Sequence, residues 1–274
     1  MSNIKRTKIG FIGGGKMAEA IIKGLRDGGV RDLVFYDRSS SRTKYIKKEY
    51  KIKGSKNNTE VVKSSDVILL AVKPGDAGKV ARSIKADITK DKLIVSVAAG
   101  ISMAYLRYNL GTDRIIRVMP NTPAFVGKGI TAIAASPMNL KKDITLVQKI
   151  FESVGDVILL DEKYIDAVTA LSGSGPAFVS LFVESLIDGA VRMGLNRADA
   201  LTLALSTVEG SIEMLKSGIS TSKLRDMVTS PGGTTAEGLF VLERDGFKGL
   251  IIDCIESACE KAAEISQKAS EGDE

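Results

Sequence analysis

"KIGFIGGGKMAEAI", residues 8–21, decides how the rest of the chain is read. A short apolar run meets three consecutive glycines, and a helical pattern begins at Lys16. The spacing Gly13-x-Gly15-x-x-Ala18 therefore falls between a strand and a helix, the setting that a dinucleotide-binding turn requires. Gly13 permits the tight turn, Gly15 lets backbone come close to a pyrophosphate, and Ala18 keeps the helix against the sheet. Phosphates would rest on the helix N-terminus, where unbonded N–H groups and the helix dipole favour an anion.

Outward from that turn, apolar runs alternate with helical stretches. Strands are expected at 7–13, 32–37, near Ile52, 66–72, 92–100, 114–120, 129–136 and 156–160. Helices are expected from Lys16 to Asp27, through the basic stretch after Asp37, up to about Ile88, briefly after Gly100 and near 140–153. Near-continuous apolar strands such as "DVILLAV" (66–72) suit a parallel sheet covered on both faces. This alternation predicts an α/β fold with a Rossmann-type doubly wound sheet. After residue 161 only helical patterns remain, and residues 178–193 are apolar on too many sides for a solvated helix. The chain is accordingly divided into a nucleotide-binding domain over 1–160 and an all-helical domain over 161–274 that packs between subunits.

Composition narrows the chemistry. Of the 274 residues none is histidine, so a His base, a His-ligated metal and an imidazole proton shuttle are excluded. Cys254 and Cys259 are not spaced for a zinc cluster and read as small core residues rather than a disulfide. The net charge of +6 peaks in "DRSSSRTKYIKKEYKIKGSK" (37–56), which lacks the interleaved aromatics of a nucleic-acid surface. No apolar run approaches the ~18–20 residues of a membrane span. The opening residues lead into a strand without a cleavable leader, so a cytoplasmic protein with no membrane partner is expected.

Coenzyme choice is contested at the end of the second strand. Asp37 stands where an acid would hold the ribose hydroxyls of NAD. Arg38, Ser39 and Arg42 follow it and would suit the 2′-phosphate of NADP, with the basic stretch as an anion-attracting rim. The balance leans to NADP (NADPH), with NAD as the alternative.

Six stretches in order carry a family resemblance: "GFIGGGKMAEAI" (10–21), "SDVILLAVKP" (65–74), "VSVAAGIS" (95–102), "RVMPNTPAFVGKG" (117–129), "IDAVTALSGSGPAF" (165–178) and "VTSPGGTTAEGLFVLE" (228–243). Across its length the sequence resembles the pyrroline-5-carboxylate reductases, and the last stretch looks like their signature. The resemblance implies an oxidoreductase acting on a CH–NH bond, which reduces 1-pyrroline-5-carboxylate to L-proline in the last step of proline biosynthesis. It implies a helical dimerisation domain, and hence a homodimer or higher homo-oligomer. It also implies that Gly13, Gly14, Gly15, Lys16 and Met17 touch the cofactor phosphates, with Asn58 near the adenosine. Ala71, Val72, Lys73 and Pro74 would follow the strand that meets the cofactor ribose. Ala98, Ala99 and Gly100 would border the nicotinamide, above a floor that includes Met119, Asn121 and Thr122. Ser174 and Gly175 are secondary candidates at the nicotinamide end.

That resemblance gives "TSPGGTTAEGL" (229–239) a physical task. A substrate carboxylate needs donors, and a glycine turn at a helix start offers successive amides. Gly232, Gly233 and Thr234 form that turn, with Gly233 and Thr234 as backbone donors and Ser230 as a hydroxyl donor. The helix dipole contributes about 0.3–1 kcal/mol at an exposed end. Thr235 is the catalytic candidate, placing its hydroxyl near the ring nitrogen. A protonated imine is already electrophilic, which fits a protein without histidine. Two enzymatic rivals share the first loop. A β-hydroxyacid dehydrogenase would resemble a catalytic lysine on the first long helix of the second domain, yet 177–191 contains none. A deazaflavin-dependent NADP reductase would not carry "SPGGTT". A third alternative is a nucleotide-sensing or scaffold protein that binds coenzyme without turnover.

Overall fold

The computed structural model describes residues 4–271. Eight strands form one sheet: β1 (Ile9–Ile12), β2 (Leu33–Tyr36), β3 (Lys53–Gly54), β4 (Val67–Leu70), β5 (Leu93–Ser96), β6 (Ile115–Pro120), β7 (Gly129–Ala135) and β8 (Gly155–Leu159). Their order across the sheet is 3-2-1-4-5-6-7-8. The chain runs from β1 out to β3, then returns to place β4 on the other flank of β1. A crevice opens at such a reversal, beyond the carboxyl ends of the strands.

Alternation within each strand builds two cores. Ile9 and Phe11 of β1, Val67 and Leu69 of β4, and Leu93 and Val95 of β5 face one side. There they meet α1 (Lys16–Asp27), α2 (Ser40–Tyr50) and α6 (Lys141–Phe151) through residues such as Ile21, Leu25, Ile46 and Phe151. Ile12, Ile68, Leu70 and Ile94 face the other side. They are covered by α3 (Asn58–Ser64), α4 (Pro74–Ile84) and α5 (Met103–Leu110), and by Ile165 of the short α7 (Ile165–Val168). Side chains of successive strand residues point to opposite faces, so a strand covered twice must be apolar throughout.

Two features depart from the alternating pattern. Helix α3 was not among the expected elements, because residues 57–64 are polar and short. Its signal is an asparagine N-cap: the Asn57 side chain accepts from the Glu60 amide at 2.8 Å, and Glu60 reaches back past the cap to accept from the Lys56 amide at 2.6 Å. Strand β7 pairs antiparallel to β6, while every other neighbouring pair is parallel. Only residues 121–128 join β6 to β7. A parallel return needs a crossover of about a dozen residues or more, so the chain reverses instead.

The chain separates into two compact units, 1–173 with 258–274, and 174–257. The second holds α8 (Gly175–Arg192), α9 (Arg197–Lys216), α10 (Thr221–Val228), α11 (Thr234–Arg244) and the first part of α12 (Phe247–Glu271). Its buried cluster is small, formed by Ile187, Ala200 and Ala204. Val179, Leu181, Phe182, Leu186 and Val191 of α8 all lie exposed in the single chain, Leu181 at 64%. The helical run Glu162–Arg192, which contains an 18-residue window of mean hydropathy 1.4, also has the length and composition of a membrane-crossing helix. That corrects the expectation drawn from uninterrupted apolar runs, which underrates a helix whose apolar residues are broken by isolated charges. Cys254 and Cys259 are half-buried and not joined to each other.

An apolar helix face of this extent is stable in water only when covered. The purified chain is expected to sediment as a dimer or larger species at micromolar concentration. A stable, active monomer in sedimentation velocity would contradict this.

Candidate active site

The glycine turn is shaped by the strand beside it. Gly13 has φ +95°, and a Cβ there would lie 2.4 Å from the Ala71 carbonyl oxygen, so no other residue fits. Gly15 differs. Its backbone is extended (φ −63°, ψ −179°), and the nearest atom to an added Cβ is the Ala71 oxygen at 4.0 Å. Nothing in the protein demands glycine at 15. The space left open belongs to the cleft.

That cleft, about 570 Å³, lies at the carboxyl ends of β1, β2 and β4. Gly13, Gly15, Asp37, Arg38, Asn58, Ala71, Val72 and Lys73 line it together, as do Tyr36, Asp76, Lys79, Val80 and Ser83. The sequence carried no motif for this last group, whose members gain meaning only from the ends of β2 and the first turns of α4. An open space over Gly15, a helix N-terminus and flanking Arg38, Lys73 and Lys79 suit a dinucleotide: a cradle for pyrophosphate and cations for a further phosphate.

Several roles expected from sequence change in detail. The Gly13 amide donates to the Tyr36 carbonyl at 2.8 Å, and the Gly14 amide donates to Asp37 at 2.7 Å. Neither is a donor for phosphate; Gly15 lines the cleft, and the amides of Lys16 and Met17, which open α1 but do not line the cleft, have no intrahelical acceptor. Asp37 also accepts from the Ser39 amide at 2.7 Å, so both its oxygens serve local backbone. Arg42 does not line the cleft. It turns beneath the turn, where Nε donates to the Gly14 carbonyl and Nη2 pairs with Glu19. Arg38 is 76% exposed and meets Asp76 only at 3.4 Å, an ion pair weak enough to be exchanged for a ligand.

Glu19 was missed by sequence reading and is 6% exposed. Its other oxygen accepts from the Tyr45 and Tyr50 hydroxyls at 2.9 and 3.0 Å. Burial pushes its carboxyl upward, but hydrogen bonds from Arg42, Tyr45 and Tyr50 outweigh burial and hold it below its ordinary 4.5. Burial and the same carboxylate drive the Tyr50 hydroxyl strongly upward.

The stretches expected around the nicotinamide are placed as follows. Ala98 is buried, and Gly100 packs closely against α12, where an added Cβ would lie 2.9 Å from Ile265. Asn121 is 8% exposed; it accepts from the Ile130 amide at 2.9 Å and donates to the Ser172 carbonyl at 3.2 Å. Its side chain therefore ties the β6–β7 reversal to the π-helical turn at Thr169–Gly173, and is not a free ligand for a reacting ring. Met119 approaches Gly173 in the same turn. Pro74 opens α4, and Thr122 is exposed at the start of a 3-10 turn. Ala99 lies between β5 and α5 with Gly100.

In the helical unit, Gly233 is the N-cap of α11 and Gly232 has φ +66°. The Gly233 amide donates to the Ser230 carbonyl at 3.0 Å, so it is not the donor that sequence assigned. The first amides of α11, at Thr234, Thr235 and Ala236, have no intrahelical acceptor by geometry. Ser230 is exposed, and Thr235 half-buried.

Comparison with known proteins bears on both units. Residues 162–265 match the family model for pyrroline-5-carboxylate reductase dimerisation. Over 265 residues the chain is 40% identical to the pyrroline-5-carboxylate reductase of Synechocystis, covering 95% of this chain and 99% of that protein. The chain belongs to the pyrroline-5-carboxylate reductase family. The Escherichia coli K12 member is 39% identical over 95% of this chain and 98% of its own. A crystal structure of the Plasmodium falciparum pyrroline carboxylate reductase with NADP bound is similar at a TM-score of 0.87 and 36% identity, covering 96% of this chain and 100% of that one. Residues 8–100 also match the family model for coenzyme F420-dependent NADP oxidoreductases, which is confined to the half holding the first glycine turn. The dimerisation match spans α8 through most of α12, the helices whose apolar residues lie exposed in the single chain.

Because nothing in the protein occupies the space above Gly15, Gly15→Ala is expected to weaken NADPH binding about tenfold or more while leaving the thermal midpoint unchanged. A fall in midpoint with intact binding would contradict the cradle. Glu19 gives a pH test. Its folded pKa lies below the unfolded value, so its stabilisation is complete above pH 4.5 and disappears as pH falls through the folded value. The stability gap between wild type and Glu19→Gln, from urea unfolding, should shrink below that pH; a pH-independent gap would refute the assignment.

Proposed function

We propose that this chain is an NAD(P)H-dependent pyrroline-5-carboxylate reductase that forms L-proline from 1-pyrroline-5-carboxylate. The observation that carries the reading is a second glycine turn, 230–233, opening α11, in a chain whose other glycine turn builds a dinucleotide cleft. One turn suits an anionic coenzyme and the other a small carboxylate. When bound, the reduced nicotinamide supplies hydride for the C=N carbon.

The chain's own residues have three tasks. Gly15, Lys16 and Met17 offer amides to the pyrophosphate, with Asn58, Ala71, Val72 and Lys73 along the adenosine and ribose. Thr234 and Thr235 offer amides, and Ser230 a hydroxyl, to the substrate carboxylate; Gly232 and Gly233 give the turn its shape. The Thr235 hydroxyl orients the ring nitrogen. Ala98, Ala99, Gly100, Met119 and Thr122 border the nicotinamide as backbone and apolar surface. Positioning is the main catalytic term, and well-held reactants gain the equivalent of about 7–11 kcal/mol.

NADPH is the preferred coenzyme in this reading. Asp37 is engaged by two backbone amides, and Arg38 stands exposed on the cleft for a 2′-phosphate. The helical run Glu162–Arg192 is read as part of the subunit interface, because Glu184 and Asp188 lie within it and the dimerisation match covers it. The nucleotide-binding domain ends near 160, the helical domain follows, and the enzyme is cytoplasmic.

Following NADPH absorbance with and without the imine separates an enzyme from a nucleotide sensor, which would bind coenzyme and show no turnover. Thr235→Ala is expected to lower turnover about tenfold or more, equivalent to ~1.4 kcal/mol or more in the barrier, with little change in NADPH affinity. Equal turnover in the two proteins would remove Thr235 from the mechanism.

A further inference from the structure

We propose that Arg42 and Glu19 are positioning residues for the coenzyme, acting through the carbonyls of the glycine turn and not through the 2′-phosphate. The inference rests on the dinucleotide reading of the cleft, and is independent of which imine is reduced.

Both peptide groups that flank the Gly14 Cα are held. Its N–H donates to Asp37 at 2.7 Å, and its carbonyl accepts from Arg42 Nε. Arg42 Nη2 also reaches the Gly15 carbonyl at 3.4 Å. A turn offers amides to an anion only if its carbonyls face elsewhere, because a carbonyl dipole aimed at phosphate repels it. Arg42 sets that orientation and places positive charge behind two carbonyl oxygens. The guanidinium is itself fixed. Nη2 pairs with Glu19, its side chain is only 20% exposed, and the Tyr45 ring stands 5.0 Å from its centre. Glu19 is anchored in turn by the two tyrosine hydroxyls of α2. Arg42 thus differs from its neighbour Arg38, which is exposed and lines the cleft. Two arginines four residues apart on the basic stretch have separate tasks.

The test measures equilibrium binding to the full-length protein, with no imine present. NADPH, NADH and 2′-AMP are titrated against wild type, Arg42→Gln, Glu19→Gln and Arg38→Ala. NADH keeps the pyrophosphate without the 2′-phosphate, and 2′-AMP keeps the 2′-phosphate without the pyrophosphate. For Arg42→Gln, NADPH and NADH should weaken by the same factor, about tenfold, with 2′-AMP changed by less than about twofold. Glu19→Gln should show the same pattern at smaller size, and it decides the matter should Arg42→Gln fail to fold. Arg38→Ala should weaken NADPH and 2′-AMP and spare NADH. Loss of NADPH and 2′-AMP affinity with NADH spared in Arg42→Gln would place that side chain on the 2′-phosphate and overturn the proposal. Unchanged binding of all ligands, or equal weakening of all three in a folded variant, would overturn it too. Failure of imine turnover in wild type leaves these outcomes readable, so the two hypotheses fail separately.

Discussion

The Gly13 turn passes so close to the end of β4 that the Ala71 carbonyl leaves no room for a side chain. That approach depends on β1 and β4 being neighbours, with Ile12 in register with Leu70. The register depends on both strands being apolar on both faces. The cleft is thus a consequence of strand order. Where β1 lies between strands whose connections leave in opposite directions, helices cannot cover the strand ends, and the space is left to a ligand. Glycine at 15 keeps that space open for reasons outside the protein's own packing, the reverse of the case at 13.

Electrostatics follow from the same geometry. Asp37 and Arg42 are opposite charges that sequence alone reads as rivals for one ribose, the acid for a hydroxyl and the base for a phosphate. Folding turns both toward backbone: one takes the N–H and the other the C=O of Gly14, fixing the two peptide groups that flank that residue. Their charges are thereby engaged in shaping the turn, and in the proposed reading Arg38, exposed on the cleft, is the residue left to meet a 2′-phosphate. A residue type near a ligand does not establish contact with it. The direction of its side chain does.

The sheet was legible because strand alternation and helix periodicity are local, and each burial face repeats every two or about 3.6 residues. Helix α3 escaped because a two-turn polar helix has almost no periodic signal, and its one local mark is Asn57 at the cap with Glu60 three residues on. The reversal at β7 was legible in principle from the eight residues linking it to β6, too few for a crossover. The glycine turns were legible as motifs, whereas the uses of their individual amides were not. Gly13 and Gly14 donate to acceptors that no spacing rule supplies, the Tyr36 carbonyl and the Asp37 carboxylate, whereas Gly233 closes a Pro-Gly turn on the Ser230 carbonyl that the sequence spacing could have given. Glu19 was invisible for a related reason. An acid in the first turn of a helix is ordinary at its dipole, and only the return of α2 brings an arginine and two tyrosines to it.

The chemistry requires little from titratable side chains, and the chain supplies little. A protonated cyclic imine carries its own positive charge, and hydride addition at carbon neutralises that charge without an external acid. The remaining demands are geometric: hold one anion at each end and keep the reacting atoms together. Backbone amides at two helix starts meet the first demand without a pKa to tune, so the absence of histidine costs nothing. In the proposed mechanism the second demand falls on the frame behind Thr235, and the helical unit that forms it has a small buried cluster and an exposed α8 face as a single chain. On the proposed reading the turn at 230–233 meets the substrate, and it belongs to the same helical unit that carries the exposed apolar surface and the dimerisation match, which ties dimerisation to catalysis.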